Sequence, residues 1–260
     1  MAKAWTEVEK LVLRQELVKL YVEENQTLGY IANKLDLAES SVYCRLIKLK
    51  IPIQPSTKLR FRNRNFNITI PKHSVELAEF IGILLGDGHL TPTQVTVTLG
   101  TKEWAYVLYV QSLMHKLFGV NPKIITSKTN GAVVYLGSTV LVRWLIKMGL
   151  VHNKVKFQVD IPKWCLSKRV YAKAVVRGLI DTDGSIYRMG TRAQISFCNK
   201  SENLLKSLSK ALVVLGFSPS KISVNKIYLT RNKDLSAYWK NIGFSNPKHS
   251  SRYIQFVGRW

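Results

Sequence analysis

Two kinds of apolar pattern follow one another along the chain. In residues 1–52 apolar residues recur at helical spacing, which predicts an all-helical segment. Its first stripe consists of Leu11, Leu13, Leu17, Val18, Leu20 and Tyr21. From residue 72 onward, helical stretches alternate with short runs in which apolar and polar residues alternate one by one, as in strands. The pattern therefore predicts an α+β fold, with a small all-α domain ahead of a larger mixed body.

The all-helical segment has the spacing of a helix-turn-helix. Thr27 is predicted to cap a short helix, residues 36–38 to form a turn, and residues 39–50 to form a second helix. In a helix-turn-helix the second helix enters the major groove of DNA. The positions predicted to face outward on it are Ser40, Ser41, Tyr43, Arg45 and Lys48. A helical hairpin with a basic face is the alternative interpretation.

Residues 53–71 are flanked by prolines and rich in arginine, which predicts an extended basic linker. Arg60, Arg62 and Arg64 would track a phosphate strand or the minor groove. A linker that is merely soluble explains the same composition.

Residues 72–260 contain an internal repeat. Three pairs of segments match in the same order: FIGILLGDG (80–88) with VRGLIDTDG (176–184), TLGTKEW (98–104) with SFCNKSE (196–202), and MGLVHNK (148–154) with IGFSNPK (242–248). Because their offset is nearly constant, at about 96 residues, they indicate a duplication. The first copy is assigned to residues 72–155 and the second to residues 156–260.

Each copy is predicted to run helix, two strands, helix, two strands, helix (αββαββα). In the first copy the elements are 75–86, a strand near 89, 94–99, 104–118, 123–127, 132–136 and 139–148. In the second they are 171–182, 185–188, 193–197, 202–215, 221–224, 226–230 and 234–242. The Asn130-Gly131 pair predicts a hairpin turn. Two such pseudo-symmetric repeats would form a saddle of antiparallel sheets.

The first helix of each copy ends in an Asp-Gly pair, with the acid at Asp87 in one copy and at Asp183 in the other. Small residues four apart would let these two helices pack closely. They are Gly82, Gly86, Gly178 and Thr182. The two carboxylates would then meet, and each would resist ionisation unless a divalent metal neutralised them. Hard oxygen ligands favour magnesium, which can clamp the attacking water and the leaving oxygen of a phosphodiester.

Charge points to the same class of partner. The 260 residues include 39 Lys and Arg against 16 Asp and Glu, for a net charge of +23. A compact protein with that excess repels itself unless it binds a polyanion, of which nucleic acid is the usual one.

The three cysteines are far apart and suggest neither a zinc site nor disulfides, which favours a reducing compartment. The amino terminus lacks the apolar core of a signal peptide, and the apolar run at residues 80–85 is too short to cross a bilayer. We therefore expect a protein of the cytoplasm, or of an organellar matrix, without a membrane partner.

The two nonapeptides resemble those of the LAGLIDADG homing endonuclease family in its single-chain, two-repeat form, over roughly residues 72–260. The resemblance implies a monomer that cuts a long, pseudo-palindromic double-stranded DNA target during intron homing. It also implies Mg²⁺ as cofactor, with Mn²⁺ substituting and Ca²⁺ binding without cleavage. The implied metal ligands are Asp87, Asp183 and the main-chain carbonyls of Gly86 and Thr182.

Both motifs depart from the family pattern. Phe80 and Val176 open them, Arg177 replaces the alanine, and Leu85 replaces the first aspartate. Asp181, which keeps that aspartate in the second copy, is not at the metal-ligand position and is expected to be structural or solvent-facing.

Matched polar residues surround the two acids. Lys102 and Lys200 follow the second strand of each copy, preceded by Thr101 and Asn199. In the family this neighbourhood orders water or contacts the scissile phosphate. Lys154 and Lys248, after the last helix of each copy, resemble the family's central lysines, which stabilise transition-state charge. A plain phosphate contact or solvation is the alternative for any one lysine.

The predicted strands carry polar residues at every second position, which would place them on an open sheet face able to read base edges in the major groove. The DNA-facing set is Gln94, Thr96, Thr98, Arg188, Arg192, Gln194, Ser196, Lys221, Ser223, Lys226, Tyr228 and Thr230. Ordinary solvent exposure would produce the same pattern.

Two other functions fit this scaffold. One is a DNA-binding transcription regulator without catalysis, against which the presence of both Asp87 and Asp183 argues. The other is an RNA-splicing maturase, for which intron RNA would be a further partner.

Overall fold

The structure is a computed structural model that describes residues 6–24, 26–53, 68–127 and 130–257. The chain divides into two compact units, Met1–Arg62 and Asn63–Trp260. Most of the predicted basic linker lies outside the described residues, including Arg60, Arg62 and Arg64.

The first unit is helical. Its elements are helix α1 (Glu7–Leu17), a π-helical stretch (Val18–Glu23), helix α2 (Leu28–Lys34) and helix α3 (Glu39–Lys48). Their apolar faces enclose a small core of Leu17, Leu20, Tyr21, Ile31, Ala32, Val42, Leu46 and Ile51. Leu11 was expected on the buried stripe, but it is 57% exposed.

The connection between α2 and α3 follows the predicted pattern. The Thr27 hydroxyl accepts a hydrogen bond of 3.1 Å from the Tyr30 N–H, which caps α2. Asp36 has a φ of 51°, so the chain reverses in a tight turn before α3 begins at Glu39. Lys50 also has a positive φ, of 52°, and α3 ends slightly earlier than predicted.

The second unit contains both copies of the repeat. The first copy consists of α4 (Val75–Gly86), β1 (Gly88–Leu90), β2 (Gln94–Gly100), a 3-10 turn (Thr101–Glu103), α5 (Trp104–Phe118), β3 (Lys123–Thr126), β4 (Gly131–Gly137) and α6 (Thr139–Lys147). The second consists of a 3-10 turn (Lys163–Leu166), α7 (Arg169–Asp183), β5 (Gly184–Met189), β6 (Arg192–Cys198), α8 (Glu202–Val214), β7 (Lys226–Leu229), α9 (Asn232–Asn241) and α10 (Pro247–Phe256).

Each copy builds its own antiparallel sheet, which confirms the α+β prediction. The first sheet has the strand order β1-β2-β4-β3 and the second β5-β6-β7. Alternating residues of β2, such as Val95 and Val97, are buried against the helices. The first helix of each copy, α4 or α7, lies at the centre, and α4 is buried from Leu77 to Leu85.

The second copy departs from the prediction at two places. Residues 221–224 do not form the predicted strand, and only an isolated bridge joins Ser223 to Lys226. Val224 and Asn225 have φ values of 45° and 60°, so the chain turns back before a strand can develop. The second departure is α10, which was not predicted and begins with Asn246 as its capping residue and Pro247 in its first turn.

Among the described residues, no helix is both long enough and apolar enough to cross a membrane.

Candidate active site

The central helices of the two copies, α4 and α7, pack directly on each other. A Cβ atom on Gly82 would overlap the carbonyl oxygen of Val175, and one on Gly178 would overlap that of Glu79. The two backbones therefore approach so closely that only glycine fits at the crossing. This is the contact that the small residues spaced four apart predict.

The packing brings the carboxyl ends of α4 and α7 together. Asp87 directly follows α4, and Asp183 is the last residue of α7. A Cβ atom on Gly86 would lie 3.5 Å from Cγ of Asp183, so the carboxyl group of one copy adjoins the helix end of the other. The sequence prediction that the two acids meet agrees with this geometry.

Both carboxyl groups resist ionisation in this position. Burial and the neighbouring charge of Asp183 raise the pKa of Asp87 to about 6. Burial also raises the pKa of Asp183, although a hydrogen bond from Asn199 opposes the effect. Two acids of this kind favour a nearby positive charge.

Lys154 supplies such a charge from the first copy. Its ammonium group donates to the carbonyl oxygens of Leu84 and Leu85, at 3.2 and 3.1 Å, and to that of Gly86. Burial lowers the pKa of Lys154, while the negative charges of Asp183 and Asp87 oppose that shift. The lysine is therefore a neighbour of both acids, at the negative end of the α4 dipole.

Lys248, its sequence match in the second copy, has a different partner. Its ammonium group donates to Oε1 of Glu103 at 2.8 Å, and the other oxygen of Glu103 accepts from the amide of Asn246 at 2.7 Å. Burial alone would raise the pKa of Glu103, but the hydrogen bonds from Lys248 and Asn246 lower it overall. Sequence reasoning missed Glu103, because its match in the second copy is Ser201 and the repeat gave no sign of an acid.

The residues that follow the second strand of each copy differ in whether they contact the two acids. The Asn199 amide donates to Oδ2 of Asp183 at 2.7 Å, so this residue is part of the site. Lys102 and Lys200 are exposed, and neither has a hydrogen bond or ion pair to Asp87 or Asp183 among the contacts of the described residues.

Behind the two acids lies a buried polar network that joins the copies. Glu79, only 2% exposed, forms an ion pair with Arg177 of the other copy. The same carboxylate accepts hydrogen bonds of 2.6 Å from the hydroxyls of Tyr109 and Ser245. Sequence comparison treated Arg177 only as a departure from the motif, and its buried partner gives that departure a structural reason.

Asp181 belongs to this network and is structural. It is 2% exposed, and its Oδ2 atom accepts from the backbone N–H groups of Ser245 and Asn246, at 2.8 and 3.3 Å. Burial raises its pKa well above the usual range. Asp181 was expected to be either structural or solvent-facing, and its burial excludes the solvent-facing alternative.

The donor set at the helix ends fits a hard divalent cation. Asp87 and Asp183 supply carboxylate oxygens, and the Gly86 carbonyl already accepts the Lys154 ammonium, so this group of oxygens accommodates positive charge. No group of three or more His, Cys, Asp or Glu side chains suited to a metal occurs in the described ranges. A metal here would therefore depend on the two carboxylates and on main-chain carbonyls such as those of Gly86 and Thr182.

Most of the predicted DNA-facing strand residues are accessible. Exposed or half-buried members are Gln94, Thr96, Thr98, Arg188, Arg192, Lys226, Tyr228 and Thr230, with Lys221 and Ser223 exposed outside any strand. Gln194 and Ser196 are each only 9% exposed, contrary to the expected open face. Gln194 and Ser196 lie directly opposite Tyr187 and Tyr228 on the neighbouring strands, so the side chains of each pair share one face of the sheet.

In the first unit, the residues predicted to face outward on α3 follow the expected side of the helix. Ser40, Tyr43 and Lys48 are exposed, whereas Ser41 and Arg45 are half-buried. Val42 and Leu46 point into the core.

A family model described as "LAGLIDADG-like domain" matches residues 171–243. The matched residues lie within the second copy, which confirms the resemblance drawn from the nonapeptides. That region contains Asp183 and Asn199 together with strands β5 to β7.

Similar proteins include a component of the A-type ATP synthase of Pyrococcus abyssi, 29% identical over 203 residues, or 76% of this chain and 18% of that protein. The replication factor C small subunit of Methanocaldococcus jannaschii is 25% identical over 197 residues, or 71% of this chain and 10% of that protein. The chain spans less than a fifth of the length of these curated relatives.

Similar solved structures include I-DmoI in complex with DNA and Mn (17% identity, TM-score 0.46, covering 66% of this chain and 97% of that one). The homing endonuclease I-WcaI bound to its DNA recognition sequence has 13% identity and a TM-score of 0.48, covering 80% and 95%. The N-terminal LAGLIDADG domain of DUF199/WhiA has 16% identity and a TM-score of 0.49, covering 69% and 89%.

Proposed function

We propose that this chain is a sequence-specific, Mg²⁺-dependent endonuclease of the homing type, which hydrolyses phosphodiester bonds in a long, pseudo-palindromic double-stranded DNA target. The observation that carries the proposal is the meeting of Asp87 and Asp183 at the ends of two glycine-packed helices. A strongly basic chain with two adjoining carboxyl groups of raised pKa is suited to metal-assisted cleavage of nucleic acid.

Asp87, Asp183 and the carbonyl oxygens of Gly86 and Thr182 would hold the metal. A bound Mg²⁺ would supply an activated water and neutralise charge on the scissile phosphate. Mn²⁺ would replace it, and Ca²⁺ would bind without supporting cleavage.

The polar residues around the two acids would orient a metal ligand, stabilise developing charge and contact neighbouring phosphates. Asn199 orients Asp183 through its hydrogen bond. Lys154 and Lys248 lie close enough to the acids to affect their pKa values, and they would stabilise charge that develops at the phosphate. The exposed Lys102 and Lys200 would contact neighbouring phosphates.

Specificity would come from the two sheets and from α3. The exposed strand residues would read base edges in the major groove, and Ser40, Tyr43 and Lys48 would add contacts from the first unit. We propose that the protein acts as a monomer, because a single chain supplies both acids. The three free cysteines, Cys44, Cys165 and Cys198, support a reducing compartment, either a cytoplasm or an organellar matrix.

Selection of cleaved sites from a randomised double-stranded DNA library tests the proposal. With Mg²⁺ we expect one long, imperfectly palindromic consensus to be cut, and with Ca²⁺ the same sites to be bound and left intact. Selective binding without cleavage in Mg²⁺ or Mn²⁺ would instead indicate a DNA-binding regulator. Preferential binding of a structured intron RNA over DNA would indicate a maturase.

A further inference from the structure

We infer that Glu103 is a positioning residue for Lys248 and that it makes the two halves of the site unequal. The contact itself is independent of the activity, whereas its consequence for cleavage rests on the proposed endonuclease function.

Glu103 uses both of its carboxylate oxygens to hold side chains of the other copy. It ends the 3-10 turn Thr101–Glu103, and its side chain is 22% exposed. Oε1 accepts from Nζ of Lys248 at 2.8 Å, and Oε2 accepts from Nδ2 of Asn246 at 2.7 Å. A lysine side chain has several free torsions, so a fixed carboxylate of this kind restricts where its ammonium group lies.

Asn246 connects the same carboxylate to the end of α7. Its Nδ2 also donates to the carbonyl oxygen of Asp181 at 3.1 Å, and its Oδ1 accepts from the Lys248 N–H at 3.1 Å as the cap of α10. Glu103 of the first copy is thereby tied to the segment that ends at Asp183 in the second copy.

The charges of Lys248 and Glu103 also reach Asp87, the acid of the first copy. The positive charge of Lys248 and the negative charge of Glu103 both act on Asp87, in opposite directions. Without Glu103, the Lys248 ammonium would lose the carboxylate with which it pairs while its charge still acted on Asp87, one of the proposed metal ligands. We infer that Glu103 holds the Lys248 ammonium in the neighbourhood of Asp87. The ion pair with Glu103 also prevents this ammonium from competing with the metal for the Asp87 carboxylate.

The first copy lacks this device. Lys154, which matches Lys248, lies against neutral carbonyl oxygens of α4. Ser201, which matches Glu103, caps α8 and donates its hydroxyl to the carbonyl of Val159 at 2.7 Å. One lysine is thus held by an anion and the other by peptide dipoles, so a change at Glu103 should affect only the DNA strand whose cleavage depends on Lys248.

The first test needs neither DNA nor metal. The rate of acetylation of each lysine is measured by mass spectrometry in Glu103→Gln and in a matched control, Glu202→Gln, which removes a carboxylate from an exposed ion pair with Lys206. Because the Lys248 ammonium is hydrogen-bonded to Oε1 of Glu103 and is restricted in its motion, we expect Lys248 to react with the reagent several-fold faster in Glu103→Gln, where it is released. Its rate should be unchanged in Glu202→Gln.

The second test uses a supercoiled plasmid that carries a site from the library selection. The two strands are followed separately, and Glu103→Gln is expected to slow one strand about tenfold, so that nicked circles accumulate. The other strand should change by less than about twofold. Glu103→Asp keeps the carboxylate and should restore part of the lost rate.

The outcomes separate the claims. An unchanged acetylation rate at Lys248 overturns the positioning role, whatever happens to DNA. Equal slowing of both strands overturns the inequality of the halves. Failure of the wild-type protein to cut any DNA contradicts the proposed function, while the acetylation result still decides the contact.

A variant that tests the pair from the other side covers the case in which Glu103→Gln unfolds. Lys248→Gln should slow the same strand, and the double variant Glu103→Gln/Lys248→Gln should be no slower than Lys248→Gln alone. Additive slowing would show that Glu103 acts by some other route.

Discussion

Asn199 donates a hydrogen bond of 2.7 Å to Oδ2 of Asp183 and is itself held by the Ser201 N–H, which donates to its Oδ1 at 2.8 Å. Thr101, its match in the first copy, instead donates its hydroxyl to the Asn130 carbonyl at 3.1 Å. The two acids therefore differ in their support, since Asp183 receives a side-chain amide that favours its charged form.

Replacing Asn199 should shift the pH dependence of cleavage. In Asn199→Leu the pKa of Asp183 rises because the charged carboxylate loses a donor, so ionisation and metal binding require a higher pH. We expect the acidic limb of the cleavage rate to move upward by about one pH unit. Thr101→Val is the control and should leave the limb in place; an equal shift in both variants would contradict the assignment.

Each of the two acids should be indispensable for cleavage. Asp87→Asn and Asp183→Asn remove the charge that holds the metal, so we expect no detectable cutting of a selected site in Mg²⁺. DNA affinity measured without metal should be retained, because the phosphate-binding residues are unchanged. Asp160→Asn, at an exposed aspartate, controls for the loss of one negative charge. Normal cutting by both variants would refute the metal assignment.

The titration of Asp87 should contribute stability to the metal-free protein as the pH falls from 7 to 5, measured as the difference between wild type and Asp87→Asn. The pKa of Asp87 is about 6 in the folded state against 3.8 ordinarily, so the folded state binds this proton more tightly than the unfolded chain does. The resulting stabilisation is complete below the ordinary pKa and is lost as the pH rises through 6. Asp87→Asn should therefore be more stable than wild type at pH 7, by roughly 1–2 kcal/mol, in urea unfolding without metal.

The same titration has a built-in check. Asp183 also has a raised pKa and should leave a residual pH slope in Asp87→Asn. Identical slopes in wild type and Asp87→Asn would argue against a buried, proton-binding Asp87.

Glycine should be required where the central helices cross. Gly82→Ala or Gly178→Ala places a methyl group against a backbone carbonyl that cannot move independently. We expect a loss of about 3 kcal/mol or more in the free energy of unfolding, from the overpacking and from the shift of the helices apart. Gly100→Ala is the matched control, since the nearest atom to its Cβ would be a Glu103 oxygen at 3.9 Å. Comparable losses at all three positions would contradict close helix packing.

Binding of DNA should weaken steeply with salt. A net charge of +23 implies many phosphate contacts, each of which releases counterions. Replacing one exposed lysine, such as Lys48 or Lys226, with glutamine should reduce the slope of log affinity against log salt by about one. A flat salt profile, measured by fluorescence anisotropy, would exclude an interface of this kind.

Much of the fold could be predicted from the sequence because its signals are local. The bounds of α4 and α5 were predicted from the pattern of apolar residues, and both agree with the structure. The meeting of Asp87 and Asp183 could also be predicted, since the repeat implies a paired arrangement and glycines mark the crossing.

The features that could not be predicted from the sequence depend on contacts between residues far apart in the chain or on local backbone conformation. Glu103 has no acidic match in the second copy, and its importance lies in Lys248 and Asn246, more than 140 positions away. The strand at 221–224 was predicted from alternation, yet positive φ values at Val224 and Asn225 turn the chain too early. Gln194, which was predicted to lie on an open face, is likewise buried, and it lies opposite Tyr187 of the neighbouring strand.

The ion pair between Glu79 and Arg177 joins residues that do not match each other in the duplication. Glu79 matches Val175, and Arg177 matches Ile81. If two first copies paired like with like, two glutamates would be buried without a positive partner, and two second copies would bury two arginines without a negative one. Removing one partner of a buried pair costs about 3–5 kcal/mol, so both homotypic assemblies are penalised. The two copies are therefore complementary to each other and not to themselves. Either copy could form a stable homotypic pair only if the buried charges of Glu79 and Arg177 were first lost.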